Sequence, residues 1–141
     1  MKHILLFAFL FAFYYIGYSD STEDKLSKGI ELIDIGKFDE AINQLTIVIE
    51  NNSENSTAYC YRGLAFSNLG KYEDAIFDLD LAIYIDNKNA KAFFFRGLLK
   101  YENGRKQGYS ADLKRAMELV ISKSNIYYSL LFTRINLIAG I

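Results

Sequence analysis

Few side chains in this 141-residue chain are equipped for chemistry, and their spacing argues against it. His3 is the only histidine and Cys60 the only cysteine. His3 lies in an N-terminal stretch that reads as a leader, so the processed chain holds no histidine. It then lacks the usual general base near neutral pH, the usual partner of a serine or cysteine nucleophile, and the commonest metal ligand. One cysteine cannot close an intramolecular disulfide or anchor a structural metal cluster. Cys60, flanked by Tyr59 and Tyr61, reads as a small packed hydrophobe; pairing with a partner's cysteine is the alternative in an exported protein. Glu73, Asp74, Asp78 and Asp80 crowd together. Such a run reads as a solvated helix face rather than a metal site or an acid–base pair. Gly104-Arg105-Lys106-Gln107-Gly108 lacks the spacing of a phosphate-binding loop. The expectation is therefore no catalytic residue, no metal, no cofactor, and a chain that is not an enzyme.

Charge narrows the partners. Lys and Arg number 16 against 17 Asp and Glu, for a net charge of −1. Removing Lys2 with the leader leaves 15 against 17, or −2. A nucleic-acid or anionic-lipid surface needs a clustered positive excess, which is missing. Proline is also absent, which removes the strongest helix breaker. No strict apolar alternation persists along the chain, so the elements that carry these residues are read as helices.

The leader has three parts. Met1-Lys2-His3 is a short positive start, Ile4 to Ile16 is an unbroken apolar run, and Gly17-Tyr18-Ser19 sets small residues ahead of Asp20. This is the pattern of a secretory signal over residues 1–19, cut after Ser19. The run is short for a spanning helix, which needs about 20 residues. The alternative is an uncleaved anchor, with membrane association through residues 4–18 and Tyr14, Tyr15 and Tyr18 at the interface.

Beyond the leader the glycines keep time. Gly29, Gly63 and Gly97 are 34 apart, as are Gly36, Gly70 and Gly104. Leu45, Leu79 and Leu113 share a register; so do Ala41 and Ala75, Ala82 and Ala116, and Arg62 and Arg96. Two antiparallel helices approach closely only where side chains are small, and Gly63, Ala75 and Ala82 supply those places. Gly70 sits where a left-handed residue ends a helix. Ala75, Leu79, Ala82 and Ile83 recur at helical spacing and make one apolar face, with Asp74, Asp78 and Asp80 pointing elsewhere. Helix pairs are expected at Thr22–Ile35 with Phe38–Glu50, Ala58–Leu69 with Tyr72–Ile85, and Ala90–Asn103 with Lys106–Ile121.

The unit from Ser56 to Asn89, with Tyr59, Gly63, Phe66, Gly70, Tyr72, Ala75, Leu79 and Ala82 in place, resembles a tetratricopeptide repeat, a 34-residue helix–turn–helix unit. Residues 22–55 and 90–123 fit the same register more loosely, so three units occupy 22–123. The resemblance implies an all-α, right-handed α-solenoid of three repeats plus a C-terminal helix. The sequence departs from the family in several places. Ser53 and Asn87 stand where proline is usual. Tyr109 takes the position of Ala41 and Ala75, which a tight crossing cannot hold without adjustment; rotation of the helix to present Gly108 and Ala111 is the expected remedy. Lys100 replaces Phe66, and Lys25 replaces Tyr59, which predicts a loosely packed or frayed first helix.

Residues 124–141 read as a seventh helix started by the cap-capable Ser124-Asn125. Tyr127, Tyr128, Leu130, Leu131, Phe132, Ile135 and Ile138 make it more apolar than an ordinary terminal cap, whose outer side is polar. Three readings stand: a helix docked within the array, an oligomer or partner interface, or a face covered by a continuation of a longer chain.

The three consecutive phenylalanines Phe93, Phe94 and Phe95 cannot all face inward, because neighbours on a helix point about 100° apart. By resemblance, first helices line a concave groove. Carried over by position, that groove holds Leu26 and Ile30 from the first repeat, Thr57, Cys60, Leu64 and Asn68 from the second, and Lys91, Phe94, Leu98 and Tyr101 from the third. A mostly apolar groove with a few polar groups suits an extended or helical peptide. It does not resemble the family's clamp of lysines, arginines and asparagines for chaperone tails, Lys91 being a single match. The expected function is an exported adaptor or assembly factor, periplasmic or secreted, that binds a protein or peptide; a membrane-anchored subunit of an envelope complex is the alternative.

Overall fold

A computed structural model describes residues 22–104 and 108–139, with side chains to residue 124. Its described residues form six helices and no strand: α1 (22–34), α2 (Phe38–Asn51), α3 (Ser56–Asn68), α4 (Tyr72–Ile85), α5 (Ala90–Glu102) and α6 (Tyr109–Ala139). The expected α-solenoid is observed, and the first five helices lie within two residues of their expected bounds. The leader lies outside the described residues.

The turns follow from local chemistry. Gly36, Gly70 and Gly104 all hold φ near +70° (76°, 72° and 67°), a conformation that costs other residues 1–2 kcal/mol. After α3 the amide of Lys71 donates to the Phe66 carbonyl and that of Gly70 to Ser67, a pairing that satisfies the last helical carbonyls. The same pair recurs after α1, from Lys37 to Leu32 and Gly36 to Ile33. Between repeats, where proline is missing, Asn52 and Asp86 close the turn by accepting from the amides of Glu54 and Lys88. Asn55 and Asn89 then cap α3 and α5 by accepting from Ala58 and Ala92. Every one of these devices repeats at 34 residues.

Packing within a repeat depends on glycine against leucine. A methyl group added at Gly29 would lie 2.7 Å from Leu45 Cγ; at Gly63, 3.0 Å from Leu79 Cγ; and at Gly97, 3.0 Å from Leu113 Cγ. Among the described residues the core forms two clusters. One joins Leu32 and Ile33 of α1 to Ala41, Leu45 and Val48 of α2 and Ala58 and Ala65 of α3. The other joins Cys60 of α3 to Ala75, Leu79 and Ala82 of α4 and Ala92 and Leu99 of α5. Despite Lys25, α1 contributes buried Leu32 and Ile33, so it is tied into the array.

Three expectations about the third repeat and its neighbour are corrected. First, the helix does not rotate around Tyr109. The Tyr109 carbonyl lies 3.1 Å from a methyl built at Gly97, as the Ala75 carbonyl lies 3.1 Å from one at Gly63, and Ala111 is exposed. Tyr109 is the first residue of α6, so its ring turns out of the crossing and packs on Tyr101, with centroids 5.5 Å apart. Second, Ser124-Asn125 does not start a new helix. α6 is one helix of 31 residues, since no glycine or proline interrupts it before Ala139 and an interior Ser or Asn costs only tenths of a kcal/mol. Third, Asp78 is not on a solvated face. Glu73, Asp74 and Asp80 are exposed, but Asp78 is 1% exposed.

Candidate functional site

The buried Asp78 leads to the electrostatic frame of the array. Arg62 on α3 forks onto it, with Nε 2.7 Å from Oδ2 and Nη2 2.9 Å from Oδ1. The remaining arm of Arg62 donates to Thr46 Oγ1 on α2 at 3.1 Å, so one guanidinium links two repeats. Its plane lies against Tyr59 and Phe66, 5.5 and 5.9 Å from their centroids. The hydrogen bonds from Arg62 to Asp78 outweigh burial and raise the arginine's pKa further. Thirty-four residues on, Arg96 forks onto Asp112 at 2.9 and 2.6 Å and donates to Asp80 of the preceding repeat. Here Lys100, in the position of Phe66, adds a second cation on Asp112 at 2.8 Å. Burial pushes the Asp112 carboxyl up, but the bonds from Arg96 and Lys100 prevail and hold it below the ordinary range. Arg62 and Arg96 are 34 residues apart in the sequence, and so are their partners Asp78 and Asp112. In the first repeat the corresponding residues are Lys28 and Gln44, and Lys28 pairs on the surface with Glu31.

This frame ties α3 and α5 to the second helices around them, and the residues expected to line a groove divide among several places. Ile30 of α1, Thr57 and Cys60 of α3, and Lys91 of α5 meet in one cleft of about 540 Å³, joined by Tyr61, Asn89, Val120 and Lys123. Phe94 lies instead in a second cleft, also with a volume of about 540 Å³, between α5 and α6, which Lys91 borders as well. Leu26 and Leu64 pack onto the first core cluster. Leu98 and Tyr101 are exposed, the latter beside Tyr109, and Asn68 turns back to donate to the Leu64 carbonyl at 2.8 Å.

The first cleft has an apolar floor and a cationic rim. Cys60 forms the floor and is buried; burial pushes its thiol up to about 12, with Lys91 pulling slightly the other way. A thiol so held is protonated at neutral pH and a poor nucleophile. Lys91 donates to the Tyr61 hydroxyl with its nitrogen 5.0 Å from the ring centroid, so it sits off the hydroxyl end of the ring. That bond raises the lysine's pKa and keeps it charged. Lys88 and Lys123 border the same cleft, with Asp86 the one acid among the lining residues. The sequence reading missed Tyr61, Lys88 and Lys123, because the last two lie on a turn and on a second helix rather than on first helices. Among the described residues no group of acids, cysteines and histidines is placed to hold a metal ion, and no helix is long and apolar enough to cross a membrane.

These features define a helical-repeat array whose units are antiparallel helix pairs closed by a left-handed glycine. The tetratricopeptide repeat family matches residues 26–90. The chain is similar in structure to the tetratricopeptide domain of Arabidopsis OM64, at 31% identity over 72% of this chain and 84% of that one, with a TM-score of 0.68. It is also similar to the first such domain of human RPAP3, at 26% identity over 70% of this chain and 78% of that one, TM-score 0.67. The second domain of Spaghetti (RPAP3), bound to the HSP90 peptide SRMEEVD, is similar at 26% identity over 70% of this chain and 92% of that one, TM-score 0.66. No curated protein matches by sequence. The chain belongs to the tetratricopeptide repeat family.

Proposed function

We propose that the protein is a non-catalytic interaction module that binds a peptide or protein segment in the cleft formed by Ile30, Thr57, Cys60, Tyr61 and Lys91. The observation that carries this reading is the convergence of three first helices on one cleft with an apolar floor and three lysines at its rim. An apolar floor takes a hydrophobic anchor, and the rim selects a segment with a carboxylate or acidic side chain beside it. A relative of 26% identity is bound to a peptide, which supports the same use of the fold here. The protein acts as an exported adaptor or assembly factor if the leader is cut after Ser19. A membrane-anchored subunit is the second reading, favoured by the apolar run Ile4 to Ile16.

A peptide-display library panned on the immobilised full chain tests the binding reading. Selected peptides are expected to lose at least tenfold in affinity for the Thr57→Glu/Lys91→Glu variant, whose substitutions are at exposed positions. Equal affinity for both chains, or no selected peptide, sinks the assignment. N-terminal sequencing of the protein from its source cells separates the two locations: a start at Asp20 means export, a start at Met1 means anchoring.

A further inference from the structure

The third repeat ends in a face that the second repeat buries. In the second repeat Cys60, Leu79 and Ala82 are buried, and Ile83 packs beside them, under α5. Thirty-four residues on, the same positions are Phe94, Leu113, Ala116 and Met117. With Val120 and Ile121 they line the second cleft. Phe94, Met117, Val120 and Ile121 remain 47%, 58%, 59% and 50% exposed. By register, this cleft is the seat of one more apolar-faced helix of the length of α3 and α5, which have 13 residues each.

The chain holds such a helix. α6 runs 31 residues where α2 and α4 run 14. Its second half, residues 124–139, is roughly 24 Å long at 1.5 Å per residue. Of residues 125–139, ten are apolar and Arg134 is the one charged residue. Yet the cleft is lined by the first half of this same helix, through Leu113, Ala116, Met117 and Val120. One unbroken helix cannot pack on its own flank, so the second half cannot fill the cleft of its own chain, which leaves the cleft of another molecule.

We propose that the chain forms a two-fold dimer in which residues 124–139 of each α6 lie in the Phe94–Met117–Val120 cleft of the other copy. The arrangement is isologous, since each copy gives one helix and one cleft, and it closes without exposing a further edge. It covers both apolar surfaces at once, which is the driving force for association. It is the exchanged counterpart of a monomer whose chain would bend near Ser122–Asn125, and the unbroken α6 is the form that exchange requires.

The test uses the full chain. Light scattering is expected to give twice the 16.2 kDa chain mass. Met117→Asp/Val120→Asp is expected to weaken dimerisation at least 100-fold with unchanged helicity. Independently, Met117→Cys is combined in turn with Leu130→Cys, Leu131→Cys and Phe132→Cys and oxidised, with the native chain and its buried Cys60 as control. A covalent dimer in any of the three supports the exchange. A monomeric native chain overturns it, as does a dimer indifferent to the Met117→Asp/Val120→Asp change. Cross-links formed only within one chain also overturn it, because they mean that the helix bends back into its own cleft.

Discussion

Removing Arg62 should destabilise this protein more than any surface charge change, and the structure gives the size. Asp78 has 2% of its side chain exposed and Arg62 17%, and both carboxylate oxygens are held by the guanidinium. Arg62→Met keeps most of the stem but leaves a carboxylate buried without its cation. Breaking a buried pair from one side costs about 3–5 kcal/mol, whereas an exposed pair is worth roughly 0–1. In an array of about 100 residues the lower bound of 3 kcal/mol lowers Tm by roughly 12 °C or more. Arg62→Met/Asp78→Leu removes both charges and should recover most of that loss, since apolar replacement of a buried pair is often neutral or stabilising. The third repeat supplies an internal control. Asp112 keeps Lys100 when Arg96 is lost, so Arg96→Met should cost less than Arg62→Met. Urea unfolding followed by circular dichroism at 222 nm measures all three. An Arg62→Met loss under about 1 kcal/mol, the surface-pair range, or a double variant no better than the single, would refute the reasoning.

Glycine substitutions should separate two mechanisms. Gly70→Ala meets nothing within 4 Å but sits at φ +72°, so its expected cost is the left-handed penalty of about 1–2 kcal/mol. Gly63→Ala has ordinary helical geometry but meets Leu79 Cγ at 3.0 Å and the Ala75 carbonyl at 3.1 Å, which predicts an overpacking loss of about 1–3 kcal/mol; melting curves of both variants check the pair. Cys60 should resist a thiol reagent at pH 7.5 in the folded protein and react fully in urea, because burial holds its pKa at about 12; rapid labelling of the folded chain would contradict that burial. Asp112 has a folded pKa below its unfolded value, so its contribution is present above the unfolded pKa of about 3.9 and fades as pH falls through the folded one. The stability gap between the native chain and Asp112→Asn should therefore be full at pH 7 and shrink below about pH 4, as read by melts at each pH.

Much of the fold was legible because its devices are local. Gly36, Gly70 and Gly104 announce the stops through their own backbone freedom, and Gly29, Gly63 and Gly97 mark the crossings because a methyl there strikes Leu45, Leu79 and Leu113. The candidate cleft was legible only in part. Placing groove residues by position brings Ile30, Thr57, Cys60 and Lys91 together, but sends Phe94 to the end of the array, and it overlooks Lys88 and Lys123. Position within a repeat does not tell which repeat has a neighbour on its far side. Cys60 and Phe94 occupy the same register, yet one is buried under α5 and the other has no following repeat within the described residues.

The sequence by itself determined the period, the helix pairs and the tight glycine crossings, since each depends on residues a turn or a helix apart. Only the tertiary structure decided which charges are buried and where the apolar surface is left open. Asp78 looks like Asp74 and Asp80 along the chain, and becomes a buried anchor because α3 brings Arg62 against it across the helix crossing. Tyr109 looks like an obstacle, and is harmless because it begins its helix and turns onto Tyr101. Burial is a property of what stands opposite a residue, and in a solenoid what stands opposite lies 16 or 34 residues away.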